Sequence, residues 1–478
     1  MKHIQQKIKW VAATALSLCL VFTFIPVQAE EAEELQVMPA MTETPTVEMH
    51  EMDDMKMEEA AVYKYVAFGD SITSGFEPGW TPESVPYGFV ERVYEQALLQ
   101  GRAEVNNYGV LGIETDVLLR LLTAISTENT EMTAEEIQAN FYDPKLTEIL
   151  SQLDVVKKNV QEADLITITI GGNDIIDLPN LLGEKTQEEI AAVFTERLQA
   201  IGTNLAESLQ ILYTLNPDAK IVISDQYQPI PEVAVGEEYA GLDLLRQTMT
   251  DQLSEVVAGF QSLGLDLSLA LVAEPFVGNE LAYTHIGVED IHPNQMGYQK
   301  FAEIFSQQIW GEYSEISSVE PATILLEGQL FETAEMPVLL NDKVYVPIRE
   351  YVETLGAKIE YDVETETTSV MKDGMTTEYK VTSFFADDNF ETFTEGVFIY
   401  QGRTYVALTS FAEQMGLDLT VTGSDKIFLH SMYSKPLLEQ ETMEVESEDF
   451  ELEINTEDLK LETDTEEPMM EEDTNAGM

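Results

Sequence analysis

The chain has 478 residues, 44% of them hydrophobic, which exceeds one compact domain and supports two cores with room for tails. Its 88 acidic residues against 25 basic ones leave a formal net charge of −63 at pH 7. Such a surface repels phosphate backbones and anionic lipid, which excludes nucleic acid as a partner, and a single cysteine, Cys19, excludes an intrachain disulfide.

Lys2, Lys7 and Lys9 precede an apolar run from Trp10 to Pro26, and Val27-Gln28-Ala29 then offers small residues at cleavage positions. The pattern predicts a secretory signal peptide over residues 1–29, hence a secreted or cell-surface-associated product with no membrane span after cleavage. Cys19 lies inside the run, so the exported chain would carry no cysteine. Residues 30–60, rich in Glu, Met, Thr and Pro, predict an acidic disordered linker. His50 sits there among Glu48, Glu51, Asp53 and Asp54, without the spacing of a metal-ligand set.

From residue 61 the pattern changes. The β-branched and aromatic run Val62–Phe68 predicts a buried strand, broken at Gly69-Asp70-Ser71, where a loop must begin. Apolar residues on one face predict a helix over Tyr87–Leu99. A second strand, Glu104–Val110, runs out at Leu111-Gly112-Ile113 ahead of helical Val117-Leu118-Leu119. A third, Asp164–Ile170, stops at Gly171-Gly172-Asn173-Asp174 and is followed by a helical pattern over Gln187–Leu215. Strand Lys220–Ser224, a helix near Leu244–Phe260, strand Leu267–Val272 and a helix after His292-Pro293-Asn294 complete a domain over residues 61–313. Strands alternating with helices predict an α/β domain whose parallel sheet is covered on both faces. In such sheets ligands sit at the carboxyl ends of the strands, where Ser71 would stand.

Gly69-Asp70-Ser71, Gly112, Gly172-Asn173-Asp174 and His292-Pro293-Asn294 occur in that order. Singly, each is an ordinary turn or cap. Together they resemble the four blocks of the SGNH (GDSL) hydrolase family of lipases and esterases, which implies a flavodoxin-like three-layer α/β/α sandwich. The resemblance implies Ser71 as nucleophile and His292 as the base that activates it and the acid that serves the leaving alcohol. It further implies an oxyanion hole from the Ser71 amide, Gly112 and the Asn173 side chain. The family's last block is Asp-x-x-His. Three residues before His292 stands Glu289, assigned by spacing as the triad acid; Asp290, two residues before, is the rival. His285 is expected to be a loop residue near the cleft. Pro78–Pro86 and Gln226–Glu238 are candidate cleft walls. No cofactor and no metal are expected, because no His, Cys and carboxylate cluster has ligand spacing.

Residues 316–435 form a second, smaller α+β unit that repeats itself. Asn341–Arg349 is echoed by Gln401–Thr409, and each copy leads through a short helical pattern to a glycine, Gly356 or Gly416, and a strand-like segment. The unit resembles the copper amine oxidase N-terminal-like domain of secreted bacterial proteins. Copper does not follow, since His430 is its only histidine. Residues 436–478, with Lys460 as sole cation, predict an acidic disordered tail.

The expected activity is hydrolysis of a carboxylic ester, lipid or acylated glycan, by a secreted serine esterase. A carbohydrate O-acetylesterase is one alternative. A non-catalytic surface-binding protein is the other, with cell-wall or glycan contact through the duplicated domain in either case.

Overall fold

The computed structural model describes residues 59–433, apart from 82–83, 140–142, 177–185, 237–238, 373 and 424. The expected signal peptide, Cys19, His50 and the acidic tail lie outside the described residues.

Five strands, β1 (Tyr63–Gly69), β2 (Ala103–Gly109), β3 (Leu165–Thr169), β4 (Lys220–Ser224) and β5 (Leu267–Ala270), form one sheet in the order β2-β1-β3-β4-β5. Every neighbouring pair is parallel. This is the flavodoxin-like order, whose switch point lies between β1 and β3. The principal helices around it are α1 (Phe89–Leu98), α2 (Thr115–Thr127), α3 (Gln187–Leu215), α4 (Tyr239–Ser262) and α5 (Gln295–Trp310), with shorter helices between them.

The strands β1, β3 and β4 are buried on both faces because both are covered. Tyr65, Ala67 and Val222 face one way, into a core with Phe89, Val93, Phe301 and Phe305 of α1 and α5. Val66, Phe68, Ile166 and Ile221 face the other way, against Leu118 and Leu121 of α2, Leu209 and Leu212 of α3 and Leu253 of α4. The period of two in the strand carries each residue to the opposite layer from its neighbour.

The repeat is visible in three dimensions. The hairpin β8 (Val338–Leu340) and β9 (Lys343–Pro347) leads to α6 (Ile348–Thr354), and β13 (Val397–Tyr400) and β14 (Arg403–Ala407) lead to α7 (Leu408–Met415). Strands β9 and β14 pair antiparallel with Val346 opposite Val406, its counterpart in the other copy, so the two copies meet about a local twofold axis. Tyr351 and Phe411, also counterparts, touch at 5.8 Å between ring centroids. The turn residues Asn341, Asp342, Gln401 and Gly402 all have left-handed backbone, as a two-residue hairpin turn demands.

After the helices the copies part. Strand β10 (Lys358–Asp362) follows α6 and pairs with β11 (Thr367–Lys372), joining β12 (Met375–Phe385) in a seven-stranded sheet. Strand β15 (Leu417–Thr422) follows α7 and pairs with β16 (Lys426–Ser431) in a four-stranded sheet with β6 (Thr323–Leu326) and β7 (Gln329–Leu330). Glu59 and Ala60, expected in the linker, instead reach Tyr433 and Met432 through backbone pairing. Among the described residues no helix is long and apolar enough to cross a membrane.

Candidate active site

The end of β1 delivers Ser71 because the chain there has room for nothing larger than glycine. Gly69 has φ 144°, and a Cβ on it would stand 2.2 Å from the Thr169 carbonyl oxygen of β3. Asp70 then donates its amide to that same oxygen at 3.0 Å. The next turn is locked by Ile72 N to Asp70 Oδ1 at 2.9 Å and Thr73 Oγ1 to the Phe68 carbonyl at 3.0 Å. Ser71 therefore sits on a rigid turn, 9% exposed. The Asp70 carboxyl beside it is buried, and desolvation pushes it up to about 7, with Asp174 adding repulsion.

His292 meets that serine. Its Nε2 lies 2.9 Å from Ser71 Oγ and its Nδ1 2.8 Å from Asp290 Oδ1. A carboxylate only accepts, so the ring proton sits on Nδ1 and the Nε2 lone pair faces the serine hydroxyl. Asp290 Oδ1 also accepts the His292 backbone amide at 2.9 Å.

The carboxylate on the imidazole is thus Asp290 and not Glu289, the residue assigned by spacing. Glu289 ends a 3₁₀ turn, Ile286–Val288, in the left-handed region at φ 68°, and its side chain is exposed. The change of backbone direction at Glu289 brings the following residue, one position nearer the histidine, into reach of the ring.

Several groups hold this loop, among them His285, expected near the cleft, and Glu77 and Phe76, which sequence reasoning missed. The His292 carbonyl accepts from His285 N at 2.9 Å, and the His285 carbonyl accepts from Asp290 N at 3.3 Å. Tyr227 Oη donates to the Ile291 carbonyl at 2.8 Å, from inside the expected cleft-wall stretch. His285 Nε2 lies 3.0 Å from Glu77 Oε1. The Phe76 ring packs 4.6 Å from the imidazole, with Trp80 against it at 5.8 Å. Asn294 caps α5 through Oδ1, which accepts from Met296 and Gly297. The contacts of Tyr227 with Ile291, Glu77 with His285 and Phe76 with His292 join residues too distant in the chain for spacing to reveal.

Gly112 and Asn173 follow β2 and β3, the strands on either side of β1, so the strand order brings both loops beside Ser71. Gly112 has φ 67°, a left-handed turn that turns its amide without a side chain in the way. The two loops are tied together. Asn173 Nδ2 donates to the Ile113 carbonyl at 2.9 Å, and Asp174 accepts the Thr115 amide at 3.0 Å and hydroxyl at 2.5 Å. Burial pushes the Asp174 carboxyl up to about 6. Among the described residues no hydrogen bond uses the backbone amides of Ser71 or Gly112.

Among the described residues there is no group of three or more His, Cys, Asp and Glu set to hold a metal ion. His430 donates Nε2–H to the Leu98 carbonyl at 2.8 Å, and burial lowers its pKa, so the ring is neutral and taken up in packing.

Residues 67–300 match the model of the GDSL-like lipase/acylhydrolase family, and residues 325–429 that of the copper amine oxidase N-terminal domain. No curated protein matches the chain. Solved structures similar to it include the lipase Lip_vut3 from a goat rumen metagenome, at 21% identity over 52% of this chain and 97% of that one, with a TM-score of 0.37. Another is Axe2, an acetylxylan esterase from Geobacillus stearothermophilus, at 17% identity over 55% and 99%, with a TM-score of 0.32. A Clostridium thermocellum family 3 carbohydrate esterase is similar at 16% identity over 52% and 94%, with a TM-score of 0.31. The chain thus carries a GDSL-like lipase/acylhydrolase domain over residues 67–300, followed by a copper amine oxidase N-terminal domain over residues 325–429.

Proposed function

We propose that the protein is a serine esterase in which Ser71 attacks the carbonyl of a carboxylic ester. The observation that carries the reading is the unbroken line from Ser71 Oγ through His292 Nε2 and Nδ1 to Asp290 Oδ1, at 2.9 and 2.8 Å. A serine hydroxyl is a weak nucleophile until a base removes its proton, and Nε2 is within reach of that proton. Asp290 holds the ring tautomer and stabilises the imidazolium as attack proceeds. The tetrahedral oxyanion is stabilised by the amides of Ser71 and Gly112 and by Asn173, donors aimed at charge present only in the transition state. His292 then gives its proton to the leaving alcohol. Water activated by the same ring releases the acid, and no cofactor takes part.

The substrate is an ester of a lipid or of an acylated glycan. Residues 1–29 serve as a signal peptide and the product is secreted or cell-surface associated. The division into a catalytic domain, 61–313, and a duplicated domain, 316–435, follows from the change of pattern between them. The test is Ser71→Ala in the full chain, assayed on acetyl, butyryl and longer p-nitrophenyl esters. Loss of hydrolysis with an unchanged circular dichroism spectrum is expected, and the wild-type profile sorts acetyl from long-chain esters. Full activity in that variant ends the proposal.

A further inference from the structure

Helix α1 stands between the two parts of the chain. Its Ala97 and Leu98 pack with Leu325 and Phe428 of the C-terminal part in one apolar cluster. Beside that cluster is an ion pair of a kind that a loosely tethered appendage does not need. Glu95, 3% exposed, accepts from Lys426 Nζ at 3.0 and 2.9 Å and from Thr422 Oγ1 at 2.8 Å. Tyr87 Oη donates to both Glu95 oxygens at 2.9 and 3.0 Å and accepts from Lys426 Nζ. The Arg92 guanidinium lies 4.0 Å and Lys426 Nζ 4.8 Å from the centroid of the Tyr87 ring. Desolvating two charges is costly, and only fully satisfied geometry offsets the cost, so the site is built for one fixed arrangement.

From Tyr87 the contacts run on to the catalytic loop. Its carbonyl accepts from Arg92 Nη1 at 2.8 Å and from Gln295 Nε2 at 3.3 Å. Arg92 Nη2 donates to Gln295 Oε1 at 2.8 Å, and Gln295 Nε2 donates to Glu77 Oε2 at 2.7 Å. The other Glu77 oxygen lies 3.0 Å from His285 Nε2. His285, through its backbone, is bonded to both His292 and Asp290.

We propose that the duplicated domain is a positioning element of the esterase site. In it Lys426, by way of Glu95 and Tyr87, holds the Arg92–Gln295–Glu77–His285 chain that fixes the loop bearing Asp290 and His292. The proposal rests on the catalytic reading of Ser71 and His292 given above. Lys426, Gln295 and Glu77 touch no reacting atom; they are positioning residues. When the chain of contacts is cut, the loop samples a wider range of ring orientations and fewer of them let Nε2 take the serine proton. Such a loss lowers kcat with KM little changed, because no ground-state contact with substrate is removed.

The test uses the full chain with Lys426→Met, Gln295→Ala, their double variant, and Asp418→Asn as a control. Asp418 bonds Arg102 at the same boundary but off this path. Each single variant is expected to lose about tenfold in kcat on an aryl ester, and the double variant about tenfold, well short of the product of the two. Asp418→Asn stays within twofold of wild type. Amide hydrogen exchange in the absence of substrate is expected to speed up over residues 285–294 in Lys426→Met and not in Asp418→Asn. Losses that multiply in the double variant, or unchanged exchange over 285–294, overturn the proposal. If Lys426→Met does not fold, Tyr87→Phe takes its place in the same cycle, since it cuts the path but leaves the Lys426–Glu95 pair. A wild-type protein that hydrolyses no ester sinks the esterase reading, while the exchange measurement still decides whether the two parts are coupled.

Discussion

Asp290→Asn separates the two carboxylates that compete for the role of triad acid. The amide keeps an oxygen where Asp290 Oδ1 now accepts from His292 Nδ1 at 2.8 Å and from the His292 amide at 2.9 Å, so the loop has little reason to move. What is lost is the negative charge beside the imidazolium that forms during attack. Unit charges about 4 Å apart interact with about 4 kcal/mol at an effective dielectric constant of about 20. The Asp290 side chain is 26% exposed, so solvent screens part of that, leaving about 2–4 kcal/mol. At 1.36 kcal/mol per decade this is a loss in kcat of roughly 30- to 1,000-fold. Glu289→Gln, on an exposed side chain, is expected to stay within about twofold. Both are measured as initial rates on an aryl ester under saturating substrate. A Glu289→Gln variant as slow as Ser71→Ala, beside a nearly normal Asp290→Asn, refutes the assignment.

Asn173→Ala removes one proposed oxyanion donor and should lower kcat by about 10²- to 10³-fold with a smaller change in KM, read from steady-state kinetics. The buried carboxyls of Asp70 and Asp174, raised from 3.8 to about 7 and about 6, bind protons more readily in the folded chain than in the unfolded one. Their contribution to stability is therefore full below about pH 4 and is lost as pH rises through 6 and 7. Asp70→Asn, which keeps the acceptor for Ile72, should flatten urea stability between pH 4 and 8 and gain up to about 4 kcal/mol over wild type at pH 8. A wild-type stability that climbs steadily over that range contradicts the burial argument. Lys426→Met, which strands the Glu95 charge, should cost about 3–5 kcal/mol, and adding Glu95→Gln should recover part of it, both from urea midpoints at constant m.

Much of the fold was legible because local signals and tertiary need agree. Helix Gln187–Leu215 opens where expected because Thr186 and Glu189 cap each other's backbone amides. Strand Lys220–Ser224 is a continuous β-branched run because helices cover both of its faces. The motifs place Ser71, Gly112 and Asn173 after the neighbouring strands β1, β2 and β3, and His292 on the loop ahead of α5. Spacing pointed to Glu289 where the ring in fact meets Asp290, since counting residues does not see a left-handed φ that redirects the chain at that position. The Lys426–Glu95 pair was out of reach for another reason. Its members lie 331 positions apart, and each alone reads as a solvated surface charge.

Whether the Ser71 hydroxyl is activated is tested most directly by a fluorophosphonate probe followed by peptide mapping. A single adduct on Ser71, absent from His292→Ala, is the predicted result. Labelling elsewhere, or equal labelling of Ser71 without the imidazole, contradicts it.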